Sequence, residues 1–184
     1  MHTKEEKAIV LDFLPNGYPF DTTPSYKKNS IVQALGKEHF VLLELVPKKG
    51  TSILPNEEVY IGEGKRDKIH HILGKLPMDK LTGTADSMLK DIIKELIDKN
   101  EQRFIAFFNS AQPLTTRMHQ LELLPGVGKK HMWEILEARD NKQFESFQDI
   151  KTRVKLMPDP EKAIIRRIIL ELEGNEKHHV FVDV

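Results

Sequence analysis

The chain has 184 residues, 28 Lys and Arg against 28 Asp and Glu, 39% hydrophobic residues and no cysteine. This length suits one domain or two small ones, and the apolar fraction is that of a folded chain rather than a disordered one. The composition excludes disulfides, thiolate metal sites and cysteine nucleophiles, and no run is long enough to span a bilayer. A net charge of zero argues against a polyanionic partner held by bulk attraction to a basic surface.

Met1 to Lys7 is charged and has no apolar signal region, so a cytoplasmic protein is expected. Lys7 to Leu14 is rich in β-branched and aromatic residues and ends at Pro15-Asn16-Gly17, which predicts a strand and a turn. Residues 18–30 read as loop. Ile31 to Leu35, Phe40 to Val46 and Glu58 to Gly62 are further strands, closed by Gly36, Pro47 and Gly62-Glu63-Gly64. Short strands at this spacing predict a small OB-like β-barrel over residues 1–75. Barrels of this kind stack bases on aromatic faces beside a basic groove. The candidates are Tyr18, Tyr26, Lys27 and Lys28 in the first loop and Lys48 and Lys49 in the turn after Pro47, with Tyr60, Lys65, Arg66 and Lys68 as further aromatic and basic positions.

Lys65 to Leu73 is read as the start of a helix stopped by Gly74. Adjacent histidines do not share a helix face, and His178-His179 would point to opposite sides of a strand, so neither doublet reads as a joint metal site. Residues 76–112 form a helical connector. Met88, Leu89, Ile92, Ile93, Leu96 and Ile97 recur at steps of three and four, with Thr84 or Asp86 as the expected N-cap. Phe104, Ile105, Phe107 and Phe108 continue the apolar cluster, and the stripe reads as core.

Thr115 to Leu123 should be a helix. It runs into Leu124-Pro125-Gly126-Val127-Gly128-Lys129-Lys130, a glycine hairpin that opens a second helix. Glycine at 126 and 128 permits positive φ, and Val127 can plug inward. The first N–H groups of the following helix have no partner within it, and its positive dipole end suits an anion. Two lysines in that first turn are unfavourable unless an anion is bound there. Leu-Pro-Gly-Val-Gly-Lys-Lys, followed by Ile135 and Leu136, resembles a helix-hairpin-helix motif. The resemblance implies phosphate contacts from Gly126, Val127, Gly128, Lys129 and Lys130. Met132 stands where that motif usually has a small residue.

Ser146 is a natural cap for a short helix over residues 144–154. A weaker echo of the hairpin follows. Leu156-Met157-Pro158-Asp159-Pro160-Glu161-Lys162 lies 33 residues beyond Leu123 to Lys129, and Ile168-Ile169 then match Ile135-Leu136. The echo predicts a tandem helix-hairpin-helix domain over residues 113–174. Its second copy lacks both glycines and carries Asp159 and Glu161, so it reads as structural. Arg166 and Arg167 remain as cations that could reach a nucleic-acid backbone. The last segment, 175–184, is strand-like and could return to the barrel. The fold class is therefore α+β.

The whole chain also resembles an archaeal domain-of-unknown-function family, DUF655. The matching residues include Leu11-Asp12-Phe13-Leu14-Pro15, Leu42-Leu43-Glu44-Leu45-Val46-Pro47-Lys48-Lys49-Gly50, Val59-Tyr60-Ile61-Gly62 and His119-Gln120-Leu121-Glu122-Leu123-Leu124-Pro125-Gly126. The resemblance implies an OB-like barrel joined to a tandem helix-hairpin-helix domain. It also implies nucleic acid as partner, RNA favoured over DNA, with protein partners in translation or rRNA processing.

No phosphate-binding Walker loop, serine elbow or paired-carboxylate motif is present. The expected function is non-catalytic nucleic-acid binding with no cofactor, no metal and no membrane. The rival is a protein–protein adaptor, and a nucleic-acid-processing enzyme is a distant third.

Overall fold

The computed structural model describes residues 4–183. The first three residues of the expected barrel and Val184 of the expected last strand lie outside the described residues. The chain is α+β and divides into two compact units. One comprises residues up to 92 together with those from 171 onward, and the other comprises residues 93–170.

The first unit is built on five antiparallel strands: β1 (Lys7–Leu14), β2 (Ile31–Gly36), β3 (Leu42–Pro47), β4 (Glu58–Tyr60) and β5 (Ile69–Lys75). Their order in the sheet is β4-β1-β2-β3-β5. Alternation explains why they pair. Ala8 and Val10, Val32 and Ala34, and Leu43 and Leu45 enter one core, where Ile53, Val59, Ile61 and Ile69 join them from both edges. The sheet is thereby curled into a half-barrel. Leu35, Leu42 and Val46 are buried as well, so both faces are covered.

The predicted helix over residues 65–73 is instead strand β5. Leu45 pairs with Ile72, Val46 with His71 and Pro47 with Ile69, while Leu43 pairs with Lys75. His70 and Leu73 are therefore extra residues, each a β-bulge. Two bulges place Ile69, Ile72 and Lys75 on one face at intervals of three. That period imitates a helix in the sequence.

A polar network fixes the segment that leads into the helices. Gln33, fully buried in β2, donates from Nε2 to Lys80 O at 2.9 Å and accepts from Thr82 N–H at 3.0 Å. Thr82 Oγ1 donates to Asp12 Oδ2 at 2.6 Å and accepts from Ala85 N–H at 3.1 Å. Thr82 is thus the N-cap of α1 (Gly83–Lys99), in place of the expected Thr84 or Asp86.

The C-terminal segment does not form the expected strand. The buried Glu171 carboxylate accepts the N–H groups of Val180, Phe181 and Val182 at 2.8, 3.0 and 2.8 Å. Amides held by a carboxylate cannot enter a ladder. Asp183 N–H still reaches His39 O in the β2–β3 turn.

The second unit holds the end of α1, α2 (Glu101–Ser110), α3 (Lys129–Asn141), α4 (Phe147–Arg153) and most of α5 (Pro160–Leu172). Ile93, Leu96, Ile97, Phe104, Ile105 and Phe108 are buried, as the helical period predicts. Within the expected connector, α1 and α2 are separate helices that meet at Asn100.

Replacing Gln33 by leucine leaves Thr82 N–H and Lys80 O without the partner that the buried amide supplies. The expected loss is about 1–3 kcal/mol, read as a lower urea midpoint with an unchanged slope.

Candidate functional site

The hairpin is approached through a turn rather than the predicted helix. Thr115 Oγ1 accepts the N–H groups of Arg117 and Met118, and Pro113 bridges to His119. Only Gln120–Leu123 is helical, as a single 3₁₀ turn. Its start is closed reciprocally. His119 Nδ1 accepts Leu121 N–H at 3.1 Å, and Glu122 Oε2 accepts His119 N–H at 2.8 Å. Burial, then the nearby Arg139 charge, hold the His119 pKa below the usual histidine value. The imidazole therefore stays a neutral acceptor at pH 7. Burial works against ionisation of Glu122, but the His119 amide and the Lys129 ammonium outweigh it and lower its pKa.

Leu121, Leu124 and Val127 are buried, so Val127 is the inward pin that the sequence predicts. Gly126 has φ +84°, and a Cβ there would lie 2.8 Å from Pro158 Cγ. Two constraints thus require glycine at 126. Gly128 differs. Its φ of −96° is open to any residue, and a Cβ added there would meet nothing within 4 Å. It serves as the N-cap of α3 without a side-chain cap. Among the described residues, the N–H groups of Gly126, Gly128, Lys129, Lys130 and His131 have no acceptor, whereas Val127 donates to Leu124 O and Met132 to Gly128 O.

The two lysines separate. Lys129 folds back onto Glu122 Oε2 at 3.0 Å and Arg117 O at 2.5 Å. Lys130 is exposed and makes no hydrogen bond or ion pair with the described residues. Met132 is buried and accommodated.

The second hairpin closes its own helix start. Asp159 Oδ1 accepts the N–H groups of Glu161 and Lys162 at 3.0 and 3.2 Å, and its other oxygen meets Lys151 at 3.0 Å. Ser146 caps α4 as predicted. The echo is partial, because residues equivalent to α4 in the first copy form the turn before His119. Arg167 is not a surface cation. It is buried and donates to Leu123 O at 3.3 Å. Arg166 is exposed.

In the first unit, the pairs Leu14–Ile31, Val32–Leu45 and Pro47–Ile69 bring the 15–30 loop and the 48–50 turn to one end of the sheet. Tyr18 is half-buried. Its hydroxyl donates to Glu44 Oε2 at 2.5 Å and accepts from Gln33, and burial, then Glu44, push its pKa up to about 12. Its ring stacks on Phe20 at 5.1 Å, and Phe20 is 76% exposed. Tyr26 is 81% exposed with Lys27 Nζ 5.6 Å from its ring centre. Lys28 Nζ lies 3.5 Å from Tyr18 O. Lys49 is exposed, while Lys48 donates to Arg66 O.

Of the other basic candidates, Lys65 is exposed, while Lys68 and Arg66 are turned to structure. Lys68 pairs with Glu57, and Arg66 donates to Gly62 O. Tyr60 likewise accepts Gly64 N–H. The loop and the hairpin belong to different units.

Sequence reasoning passed over two exposed aromatics. Phe20 sits in the loop already singled out. Trp133 is 65% exposed, one turn from Lys130 on the same helix face. Its position three residues after a first-turn lysine was the available signal. Among the described residues, no three His, Cys, Asp or Glu side chains could together hold a metal ion, and no helix is long and apolar enough to cross a membrane.

The profile of the family described as "Protein of unknown function (DUF655)" matches residues 4–183. The chain belongs to this family. It is similar to the uncharacterized protein MJ0038 of Methanocaldococcus jannaschii, with 44% identity over 180 residues covering 97% of this chain and 80% of that protein. It is also similar to the crystal structure of Af1531 from Archaeoglobus fulgidus, described as DUF655, with 44% identity, 96% and 99% of the two chains covered and a TM-score of 0.87.

Two outcomes follow from the hairpin's geometry. Gly126→Ala should cost about 1–2 kcal/mol for the left-handed backbone alone, with the Pro158 contact added, measured by chemical denaturation. The depressed His119 pKa makes its contribution complete above the unfolded value of about 6.5. That contribution is lost as pH falls through the lower folded value. His119→Asn keeps a neutral acceptor, so the variant's stability should fall less than the parent's between pH 7 and 5.

Proposed function

We propose that this protein is a non-catalytic nucleic-acid-binding protein that grips a phosphate backbone at the 124–130 hairpin, with RNA favoured over DNA. The observation that carries this reading is the contrast between two helix starts in one unit. At α5, Asp159 supplies the anion from within the chain. At α3, Gly128 supplies none, and among the described residues neither the leading amides nor Lys130 has a partner. A phosphate oxygen there would accept from those amides and meet the positive end of the helix dipole. On this reading the helical unit is a tandem helix-hairpin-helix domain with one working hairpin, and Lys129 acts through its hold on Glu122.

The half-barrel is read as OB-like, with Phe20, Tyr26, Lys27 and Lys49 as an exposed stacking and charge surface for single-stranded nucleotides. The preference for RNA, and a link to translation or rRNA maturation, rest on family resemblance alone. A protein–protein adaptor is the second reading. It is favoured by the exposed Trp133 and by Leu156, which is 88% exposed, since aromatic anchors dominate protein interfaces.

The decisive variant is Gly128→Asp. It gives α3 the same internal anion that α5 has, at a position with extended backbone and open space. The fold should keep its melting temperature, because aspartate is a good N-cap. Affinity for single-stranded and structured RNA, measured by fluorescence anisotropy, should drop about tenfold or more, equivalent to about 1.4 kcal/mol. In the parent protein, log K should fall with log salt by about 0.7 for each single-strand phosphate contacted. No RNA or DNA binding by the parent, or equal binding by the variant, removes the hairpin reading.

A further inference from the structure

We propose that His70 and His71 form a two-imidazole site for a divalent transition ion of the zinc and copper class. In a regular strand or helix, neighbouring side chains diverge. Strand β5 is not regular here. Val46 pairs with His71 and Pro47 with Ile69, which leaves His70 as the inserted residue of a bulge. Ile69 turns into the core, while His70 is exposed and His71 half-buried. Their Nδ1 atoms stand 2.7 Å apart, with ring centres at 5.0 Å and planes at 81°.

Two nitrogens each about 2.0–2.1 Å from one tetrahedral zinc lie about 3.3 Å from each other. The pair is therefore about 0.6 Å short of a chelate, a gap that small ring rotations close. At 2.7 Å only one of the two Nδ1 atoms can carry a proton in the contact. A metal ion takes that proton's place between two lone pairs, so binding to the neutral pair frees the Nδ1 position by shifting its proton to Nε2 of the same ring. The backbone of the bulge is held by Arg66, whose Nη1 donates to His70 O at 3.5 Å.

Among the described residues no third ligand completes the set. Water or an exogenous group fills the remaining positions. Two imidazoles select ions that favour nitrogen, with Cu²⁺ above Zn²⁺. They reject Mg²⁺, which demands oxygen ligands.

The test uses the full chain. Calorimetric titration with CuCl₂, ZnCl₂ and MgCl₂ should show one tight copper or zinc ion per chain and no magnesium heat. His70→Ala and His71→Ala should each weaken copper binding at least tenfold. The doubly substituted chain should lose the site, with circular dichroism and melting temperature unchanged. His178→Ala is the comparison, because His178 belongs to the other doublet, and it should leave the titration as it is. Copper binding that survives in the doubly substituted chain, or no copper or zinc binding by the parent at micromolar concentrations, overturns the assignment. Neither result bears on the hairpin, whose test is RNA affinity.

Discussion

The helical unit turns on the approach of Gly126 to Pro158. The left-handed φ of +84° bends the chain at Gly126, and the space where a side chain would stand is taken by the proline ring. That bend drives Val127 inward and leaves Gly128 extended at the head of α3. From there the helix begins with amides that no described residue claims. Without the bend, Val127 could not be buried while its neighbours stay exposed. The turn is also braced from before. His119 and Glu122 close the preceding 3₁₀ turn, and Lys129 is tied to Glu122. Rigidity on both sides lowers the ordering cost of binding an anion, which is how a preorganised site gains affinity without added contact area.

The related hairpin at 156–160 shows what the same chemistry does when the chain answers its own electrostatics. Burial disfavours the Asp159 carboxylate, but Lys151 and the amides of Lys162 and Glu161 outweigh it and lower its pKa. An ionised aspartate at a helix start is a satisfied structural cap. The two helix starts are thus chemical opposites at their N-caps. One is closed by a carboxylate and a lysine, and the other is open with a lysine to spare.

Much of the fold was legible because its apolar pattern is periodic. Strands β1 to β3 are short, nearly continuous apolar runs closed by turn residues, and the 88–97 stripe keeps helical steps, so both types were readable. Strand β5 was misread for a definite reason. Its bulges at His70 and Leu73 break the strand's alternation and put Ile69 and Ile72 on one face three residues apart, and a step of three is what a helix shows. The closing segment failed for another reason. Val180 to Val182 have strand character, but a distant carboxylate, Glu171, captures their amides, and no local pattern announces that. At the candidate site, the backbone features were legible from Gly-Val-Gly, whereas the fate of each cation was not. Among the described residues Lys130 and Lys49 have no partner, while Lys129, Lys48 and Lys68 bind neighbours brought in by the turn or the sheet. Long side chains reveal their partners only in three dimensions.

Charge balance bears on how such a protein could hold a polyanion. With 28 charges of each sign there is no long-range field to draw a strand in, and at physiological salt charges are screened beyond about 8 Å. Attraction must then be local and short-lived until contact. What remains is directional. A hydrogen bond to a charged acceptor contributes about 1.5–3 kcal/mol, and a helix start adds about 0.3–1 kcal/mol for an anion. On the proposed reading, two or three such bonds and one lysine would give a weak grip on a single phosphate pair, and not wrap a long duplex. The exposed loop aromatics Phe20 and Tyr26 then matter, because base stacking contributes about 1–3 kcal/mol per base and needs no net charge. A neutral chain built this way would favour bases that are already unstacked, since paired bases offer phosphates to the hairpin but no faces to the loop.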